Sequence, residues 1–157
     1  MTAAAVKAIR RAVADDVPAL SRLYAHSART LGPQVYSAEQ VAAWQRFAQD
    51  AAVFADYVLG ADTWLAEDGA GALGFCGVEA GGEVRSLYVR AEATRGGLGS
   101  VLLAHALQRA QARGLTQFAA WATPFSLPVF RRAGFALVRS VHEPFEGVIF
   151  ERHRVAR

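Results

Sequence analysis

The sequence has few residues that could cross-link the chain or anchor it to a membrane. Its 157 residues include one cysteine, Cys76, which excludes an internal disulfide and a zinc site of the usual cysteine spacing. No apolar run is long enough for a membrane span, and the N-terminus lacks a signal-peptide pattern. These absences predict a soluble, cytoplasmic protein, and the length fits a single domain over residues 1–157.

Lysine is also scarce, because Lys7 is the only one and arginine supplies nearly all the positive charge behind a net charge of +3. The arginines are scattered and form no basic face interleaved with aromatics, which disfavours nucleic acid as a partner. The histidines show no metal-ligand spacing, so we expect no metal site. Arginine here is better suited to anionic groups of small molecules.

Hydrophobic periodicity predicts a mixed α/β fold. A strand over 8–13 precedes two helices, which begin near Asp15–Asp16 and at Ser37. The turn signals "DGAG" and "AGGE" then separate three strands in series, which we expect to be antiparallel. A long helix ended by Gly114, a strand over 117–123, a short helix and a closing hairpin follow. The long helix is expected to form one parallel crossover.

Three glycines, Gly96, Gly97 and Gly99, stand at the start of the long helix. No Gly-Lys-Ser/Thr follows, which excludes a P-loop, and Leu102 stands where a dinucleotide fingerprint requires its third glycine. Two interpretations remain: a tight strand-to-helix turn, or an anion site in which free N–H groups bind phosphate beside Arg95. Three glycines are more than one turn needs, which favours the anion site.

The order of these segments is informative: a strand "LYV", the loop "TRGGLGS", the helix "VLLAHALQRAQARG", a further strand and then "FRRAGF". This order resembles the GNAT superfamily of acetyl-CoA-dependent N-acetyltransferases over nearly the whole chain. The family's loop pattern, Gln/Arg-x-x-Gly-x-Gly/Ala, fits residues 94–99, with Thr94 replacing the first residue. The resemblance implies an α/β fold of GNAT type: a mixed, mostly antiparallel sheet with a central splay and helices on both faces.

The resemblance also implies acetyl-CoA as cosubstrate. Its pyrophosphate would lie on the backbone N–H groups of the glycine loop, namely Arg95, Gly96, Gly97, Leu98, Gly99 and Ser100. Its pantetheine arm would lie along Leu87, Tyr88 and Val89 in the manner of an added strand. Phe130 is included among the cofactor-binding residues because it stands where many members carry a tyrosine.

Acetyl transfer to an amine requires removal of a proton and a hydrogen bond to the carbonyl oxygen. The N–H of Val89 is the candidate oxyanion donor. Glu83 is the candidate general base, since it matches the glutamate base of the histone-acetyltransferase branch. Strand alternation would place Glu83 on the same side as Leu87 and Val89. Glu83 could equally well be a solvated glutamate that follows a turn and has no catalytic role. The rival candidates for the general base are Glu79, His142 and Glu143.

Phe130 has no proton to give, so the thiolate would leave unassisted, through water or with help from Tyr88. Tyr36 and Trp121 are candidate contacts of the acceptor. The sequence thus predicts transfer of an acetyl group from acetyl-CoA to a small-molecule or peptide amine by direct attack in a ternary complex. The alternative is an acyl-CoA-binding sensor or regulatory module with little turnover. Exposed strand edges in such a fold could support a homodimer.

Overall fold

The computed structural model describes residues 6–157, apart from the side chain of Arg95, and in this part of the chain seven strands form one sheet. The strands are β1 (Ala8–Arg11), β2 (Asp62–Asp68), β3 (Gly71–Val78), β4 (Glu83–Val89), β5 (Ala119–Ala122), β6 (Ala136–Phe145) and β7 (Val148–Ala156). Their order across the sheet is β1-β2-β3-β4-β5-β7-β6. The pair β4–β5 is parallel and the other neighbouring pairs are antiparallel.

Five α-helices of the described chain cover both faces of this sheet: α1 (Val17–Leu31), α2 (Ala38–Phe47), α3 (Ala51–Leu59), α4 (Leu98–Ala112) and α5 (Leu127–Arg132). On one face, α1 and α3 pack over β2, β3 and β4, and α2 contacts β7. On the other face, α4 packs over β2, β3 and β4 and contacts α5. The predicted mixed, mostly antiparallel architecture is therefore confirmed.

Side-chain caps explain where two of these helices begin. Ser37 and Gln40 form the predicted capping box of α2: the Ser37 hydroxyl accepts from the Gln40 N–H (3.1 Å) and the Gln40 amide oxygen accepts from the Ser37 N–H (2.9 Å). Asp50 caps the other helix, α3: its carboxylate accepts hydrogen bonds from the N–H groups of Ala52 and Val53. Only two helices are predicted from the sequence before the second strand, and α3 is a third that was missed.

The strands β1 and β5 are shorter than predicted. The Ala12 N–H still donates to the Thr63 carbonyl (2.8 Å), but the Val13 N–H donates to the Asp16 carboxylate (2.8 Å) instead of to the sheet, so the chain turns away at Val13. The strand β5 covers Ala119–Ala122 rather than residues 117–123. None of the described helices is both long enough and apolar enough to cross a membrane.

Two hydrophobic clusters hold the helices on the sheet. The cluster under α4 contains Leu102, Leu103 and Leu107, which are fully or almost fully buried. The cluster under α1 and α3 contains Leu20 and Phe54, both with no exposed surface. Burial of these side chains supplies the main favourable free energy of folding and fixes the helices that border the site described below.

Candidate functional site

A gap opens in the middle of the sheet between β4 and β5. The two strands pair only through Glu83 with Ala119 and Val84 with Ala120. On its other side, β4 stays paired with β3 as far as Val89. The sheet therefore splays beyond Val84, as the family resemblance implied.

Backbone polar groups of β4 point into this gap. The Arg90 N–H donates to the Leu73 carbonyl (2.8 Å), and hydrogen-bonded pairs alternate along antiparallel strands. By this alternation Tyr88 exchanges its hydrogen bonds with β3, whereas the N–H and carbonyl groups of Leu87 and Val89 point away from β3. The Ser27 hydroxyl donates to the Val89 carbonyl (3.2 Å), which fixes α1 at the edge of the gap.

The glycine cluster lies at the open end of the gap, where a 3-10 helix (Ala91–Gly96) meets α4. Gly97 precedes α4 with φ +76°, a left-handed conformation that favours glycine. The Val101 N–H makes the first helical bond, to the Gly97 carbonyl (3.1 Å). The N–H groups of Leu98, Gly99 and Ser100 precede that bond and have no acceptor within the helix.

Gly99 has a different role from Gly97, because its φ is not positive. A Cβ placed on Gly99 would lie 3.6 Å from Val129 and 3.7 Å from Val89, at normal van der Waals distance. The helix would therefore accept alanine at this position without a clash. Gly97 thus meets the requirement of a tight turn, whereas the anion site stays a prediction.

A small cavity of about 100 Å³ occupies the gap. Its lining includes Leu87, Tyr88, Val89, Thr94 and Gly99. The Thr123–Ser126 turn closes one side, with the Thr123 N–H donating to the Ser126 hydroxyl and the Ser126 N–H donating to the Thr123 hydroxyl.

A larger cavity of about 400 Å³ adjoins it on the α1–α3 face of the sheet. Trp44, Tyr88 and Thr123 line both cavities, which places the two side by side. Nine aromatic side chains line the larger one: Tyr24, Tyr36, Trp44, Phe47, Tyr57, Tyr88, Trp121, Phe145 and Phe150. Its size and apolar lining fall within the range of small-molecule sites.

Ion pairs hold four of the five charged side chains that line the larger cavity, and the fifth, Glu151, is exposed and has no ion pair among the described residues. Arg154 donates to Glu83 (2.7 Å), and Arg85 donates to Glu79 (2.6 Å). Arg152 pairs with Glu143 (3.2 Å). The guanidinium groups of Arg152 and Arg154 also lie 4.9 Å and 5.1 Å from the centroid of the Trp121 ring.

Tyrosine hydroxyls add polar groups that stay protonated at neutral pH. Burial raises the pKa of Tyr24, Tyr57 and Tyr88, and it raises the pKa of Tyr36 to about 12. The Tyr57 hydroxyl donates to the Arg85 carbonyl (3.0 Å). These phenols can donate hydrogen bonds but are unsuited to accept a proton.

The structure brings most of the predicted site residues together. Glu83, Tyr36 and Trp121 line the larger cavity, and Leu87, Tyr88, Val89 and Gly99 line the smaller one. Gly96, Gly97, Leu98 and Ser100 surround the start of α4, whereas the side chain of Arg95 lies outside the described part. Of the rival bases, Glu79 lines the larger cavity, Glu143 is paired with Arg152, and His142 lines neither cavity.

The predicted alternation along β4 is wrong because the strand contains a bulge. Gly77 pairs with Ser86 and Val78 pairs with Val84, which leaves Arg85 without a partner on β3. The extra residue shifts the alternation of the side chains that precede it.

As a result, Glu83 does not share a side with Leu87 and Val89. Those two side chains pack against the α4 cluster. Glu83 instead lines the larger cavity together with Tyr88, which packs against the cluster on the α1 face.

Phe130 also departs from its prediction as a cofactor-binding residue. It is 2% exposed, belongs to the cluster under α4 and packs against Phe135 with ring centroids 5.0 Å apart. It lines neither cavity, whereas its neighbour Val129 lines the smaller one. The side chain at this position is therefore a core residue and not a contact of the gap.

The strand β7 contributes to the site in a way that the sequence did not predict. Phe150 and Arg152 line the larger cavity, and Arg154 holds Glu83. Phe150, Arg152 and Arg154 are spaced two residues apart along β7, so a strand places their side chains on one face. That spacing was visible in "FERHR", but only the order β5-β7-β6 shows which strand they lie beside.

The family profile described as "Acetyltransferase (GNAT) domain" matches residues 33–154. The chain belongs to the GNAT acetyltransferase family. A comparison of its sequence with curated proteins found no match.

Solved structures with the same fold include other acetyltransferases. The fold is similar to that of a GCN5-related N-acetyltransferase from Rhodopseudomonas palustris, described as "Aminotransferase, Class-II" (TM-score 0.92, 22% identity, 100% of this chain and 98% of that chain covered). It is also similar to the PaiA N-acetyltransferase from Thermoplasma acidophilum in complex with coenzyme A (TM-score 0.72, 18% identity, 93% and 96% covered). A third is YncA from Salmonella typhimurium with acetyl-CoA (TM-score 0.66, 17% identity, 96% and 92% covered).

Proposed function

We propose that this GNAT acetyltransferase moves an acetyl group from acetyl-CoA to the primary amine of an acceptor, by direct attack in a ternary complex within one domain. The observation that carries the proposal is the pair of adjoining cavities at the splayed gap, which share Trp44, Tyr88 and Thr123. A donor in the smaller cavity and an acceptor in the larger one would meet at these residues.

The residues around the gap fit coenzyme A. The N–H groups at the start of α4 would hold the pyrophosphate, since a helix N-terminus favours anions. The backbone of Leu87 and Val89, directed into the gap, would bind the pantetheine arm as an added strand. Coenzyme A and acetyl-CoA in the structural neighbours support this assignment. When bound, acetyl-CoA supplies an acetyl thioester that an amine can attack.

Glu83 is the residue proposed to accept the amine proton. It lines the acceptor cavity, and Arg154 engages only its Oε1 atom among the described contacts, which leaves Oε2 for the amine or a bridging water. The ion pair also fixes the position of the carboxylate beside the cavity.

Strand geometry favours the Leu87 N–H over the predicted Val89 N–H as the group that acts together with Glu83. Val89 lies six residues away, about 20 Å along an extended strand, whereas Leu87 lies about 13 Å away. The shorter distance can be spanned by the Glu83 side chain, a water and the amine. We therefore assign the hydrogen bond to the carbonyl oxygen to the Leu87 N–H when Glu83 is the base, and leave the Val89 N–H for the pantetheine arm.

Tyr88 is the proposed proton donor to the departing sulfur. Phe130 has no proton and lies in the core, whereas Tyr88 lines both cavities. Because burial raises the pKa of Tyr88, its hydroxyl carries a proton at neutral pH.

Two measurements test the proposal. Calorimetry with acetyl-CoA should give a dissociation constant in the micromolar range, and binding should slow hydrogen exchange of the amides of residues 94–100. A panel of amines with saturating acetyl-CoA should then release free thiol. Absence of binding at millimolar acetyl-CoA would overturn the proposal. Tight binding without thiol release for any amine would favour the alternative, a binding module with little turnover.

A further inference from the structure

We propose that the acceptor is a primary monoamine on an aromatic or other large apolar body, without a carboxylate of its own. This inference rests on the function proposed above and concerns the same larger cavity. It follows from two features of the lining, the aromatic side chains and the way in which the charged groups are already paired.

The aromatic lining is packed ring against ring. Tyr36 contacts Phe150 with ring centroids 5.2 Å apart and Trp44 at 5.8 Å. Tyr24 contacts Tyr88 at 4.7 Å. Rings fixed by edge contacts form a preformed apolar wall, which lowers the entropic cost of binding an apolar body.

The wall combines elements that are distant in the chain. Tyr36 precedes α2, whereas Phe145 and Phe150 come from the β6–β7 hairpin. The Arg46 side chain donates to the Glu146 carbonyl (2.9 Å), which ties α2 to the hairpin tip. The elements that supply the aromatic side chains are thus tied to one another beside the cavity.

The same rings suit one ammonium group. A cation over a tyrosine or tryptophan face is stabilised, and Glu83 adds a negative charge near the sheet. After loss of its proton the amine becomes neutral, which the apolar lining favours.

A carboxylate on the acceptor would find no unpaired guanidinium among the described residues that line the cavity. Of the guanidinium groups that line it, Arg85 is bound to Glu79 and Arg152 to Glu143. Arg154, which holds Glu83, is engaged as well. A second carboxylate would therefore meet guanidinium groups whose charge a glutamate already balances, and this disfavours free amino acids. A polyamine would need several free carboxylates, but of the three that line the cavity Glu79 and Glu83 are held by arginines, and only Glu151 has no ion pair among the described residues.

Four amines test the inference with saturating acetyl-CoA and a thiol-release readout. They are 2-phenylethylamine, ethylamine, which lacks the ring, L-phenylalanine, which adds a carboxylate, and spermidine, which adds charges. With rates expressed per free-base amine, we expect kcat/KM for 2-phenylethylamine to exceed each of the other three by about tenfold or more. A higher kcat/KM for L-phenylalanine, spermidine or ethylamine would overturn the inference and leave acetyl transfer intact. If none of the four amines caused release of thiol, the proposed acetyl transfer would be overturned as well.

A variant of the wall separates cavity binding from fold effects. Phe145 is partly exposed at the hairpin, so Phe145→Leu should fold. We expect it to raise KM for 2-phenylethylamine about tenfold while the dissociation constant of acetyl-CoA is unchanged. Val138→Ala, on the exposed side of β6, is the matched control and should change neither value. Equal KM values for Phe145→Leu and the parent protein would show that the ring does not contact the acceptor.

Discussion

Arg154 donates a hydrogen bond to Glu83 across 2.7 Å, although their strands β7 and β4 are not neighbours in the sheet. The side chains reach over β5, beside Trp121, whose ring lies 5.1 Å from the Arg154 guanidinium. The two side chains are 25% and 29% exposed, so water screens the pair only in part. The pair fixes the carboxylate at the point where β4 and β5 begin to diverge.

Glu83→Gln should lower kcat/KM for the best amine by about 10²-fold or more, because an amide cannot accept the amine proton. The dissociation constant of acetyl-CoA should stay the same, since Glu83 lines only the larger cavity. The measurement is the pH dependence of kcat/KM for both proteins, and the variant should lose the limb that reports the base. An unchanged pH profile would remove Glu83 from this role.

Glu79→Gln provides the comparison, because Glu79 also lines the larger cavity and also pairs with an arginine. We expect a smaller loss of kcat/KM for this variant than for Glu83→Gln. A larger loss for Glu79→Gln would assign the base to Glu79, the rival that the sequence already offered.

The sequence predicted the elements whose signals are local. The capping box at Ser37 and the glycines before α4 act within a few residues, so α2 and the start of α4 could be placed in advance. The helix α3 was missed because Ala51–Leu59 is almost wholly apolar and shows little amphipathic periodicity. Asp50 was the available signal, as an N-cap residue before that run.

The site was predicted less completely than the fold, for two physical reasons. The bulge at Arg85 depends on how β4 pairs with β3, and one extra residue moves Glu83 to the other face. The partnership of Glu83 with Arg154 joins residues 71 positions apart and requires the strand order β5-β7-β6. Neither follows from local periodicity.

Substitutions of the loop glycines should separate a turn requirement from a ligand requirement. Gly97→Ala forces a side chain into φ +76° and should lower the free energy of unfolding by about 1–2 kcal/mol. Gly99→Ala should keep or raise Tm, because alanine suits a helix better, yet weaken acetyl-CoA binding by about tenfold, or about 1.4 kcal/mol. Thermal unfolding and calorimetry measure the two effects.

Gly114→Ala is the matched control for Gly97→Ala. It has φ +96°, open space around a Cβ and a place at the other end of the same helix. It should cost similar stability without changing the dissociation constant of acetyl-CoA. Unchanged acetyl-CoA binding in Gly99→Ala would show that the ligand does not approach this residue.

Cys76 should not react with Ellman's reagent in the folded protein. It is fully buried in β3, and burial raises its pKa to about 12, so almost no thiolate forms at pH 8. Unfolding in guanidinium chloride should release one reactive thiol per chain, which is the control. In the acetyl-transfer assay, the thiol signal of the native protein would then come from free coenzyme A and not from Cys76. Rapid reaction of the native protein would contradict the buried placement.

Asp16 should make stability depend on pH in the acid range. Its carboxylate accepts from Arg10 at 2.8 Å and from the Val13 N–H, and the bond with Arg10 is the main reason why its pKa lies below the ordinary 3.8. A lowered pKa in the folded state means that this stabilisation is complete above about pH 4 to 5 and is lost as the pH falls through the folded value. Asp16→Asn should therefore cost about 1 kcal/mol at pH 7, limited by the exposure of Arg10, and much less at pH 3. Urea unfolding at both pH values measures this, with the exposed neighbour Asp15→Asn as control; equal losses at the two pH values would contradict the role of the ionised carboxylate.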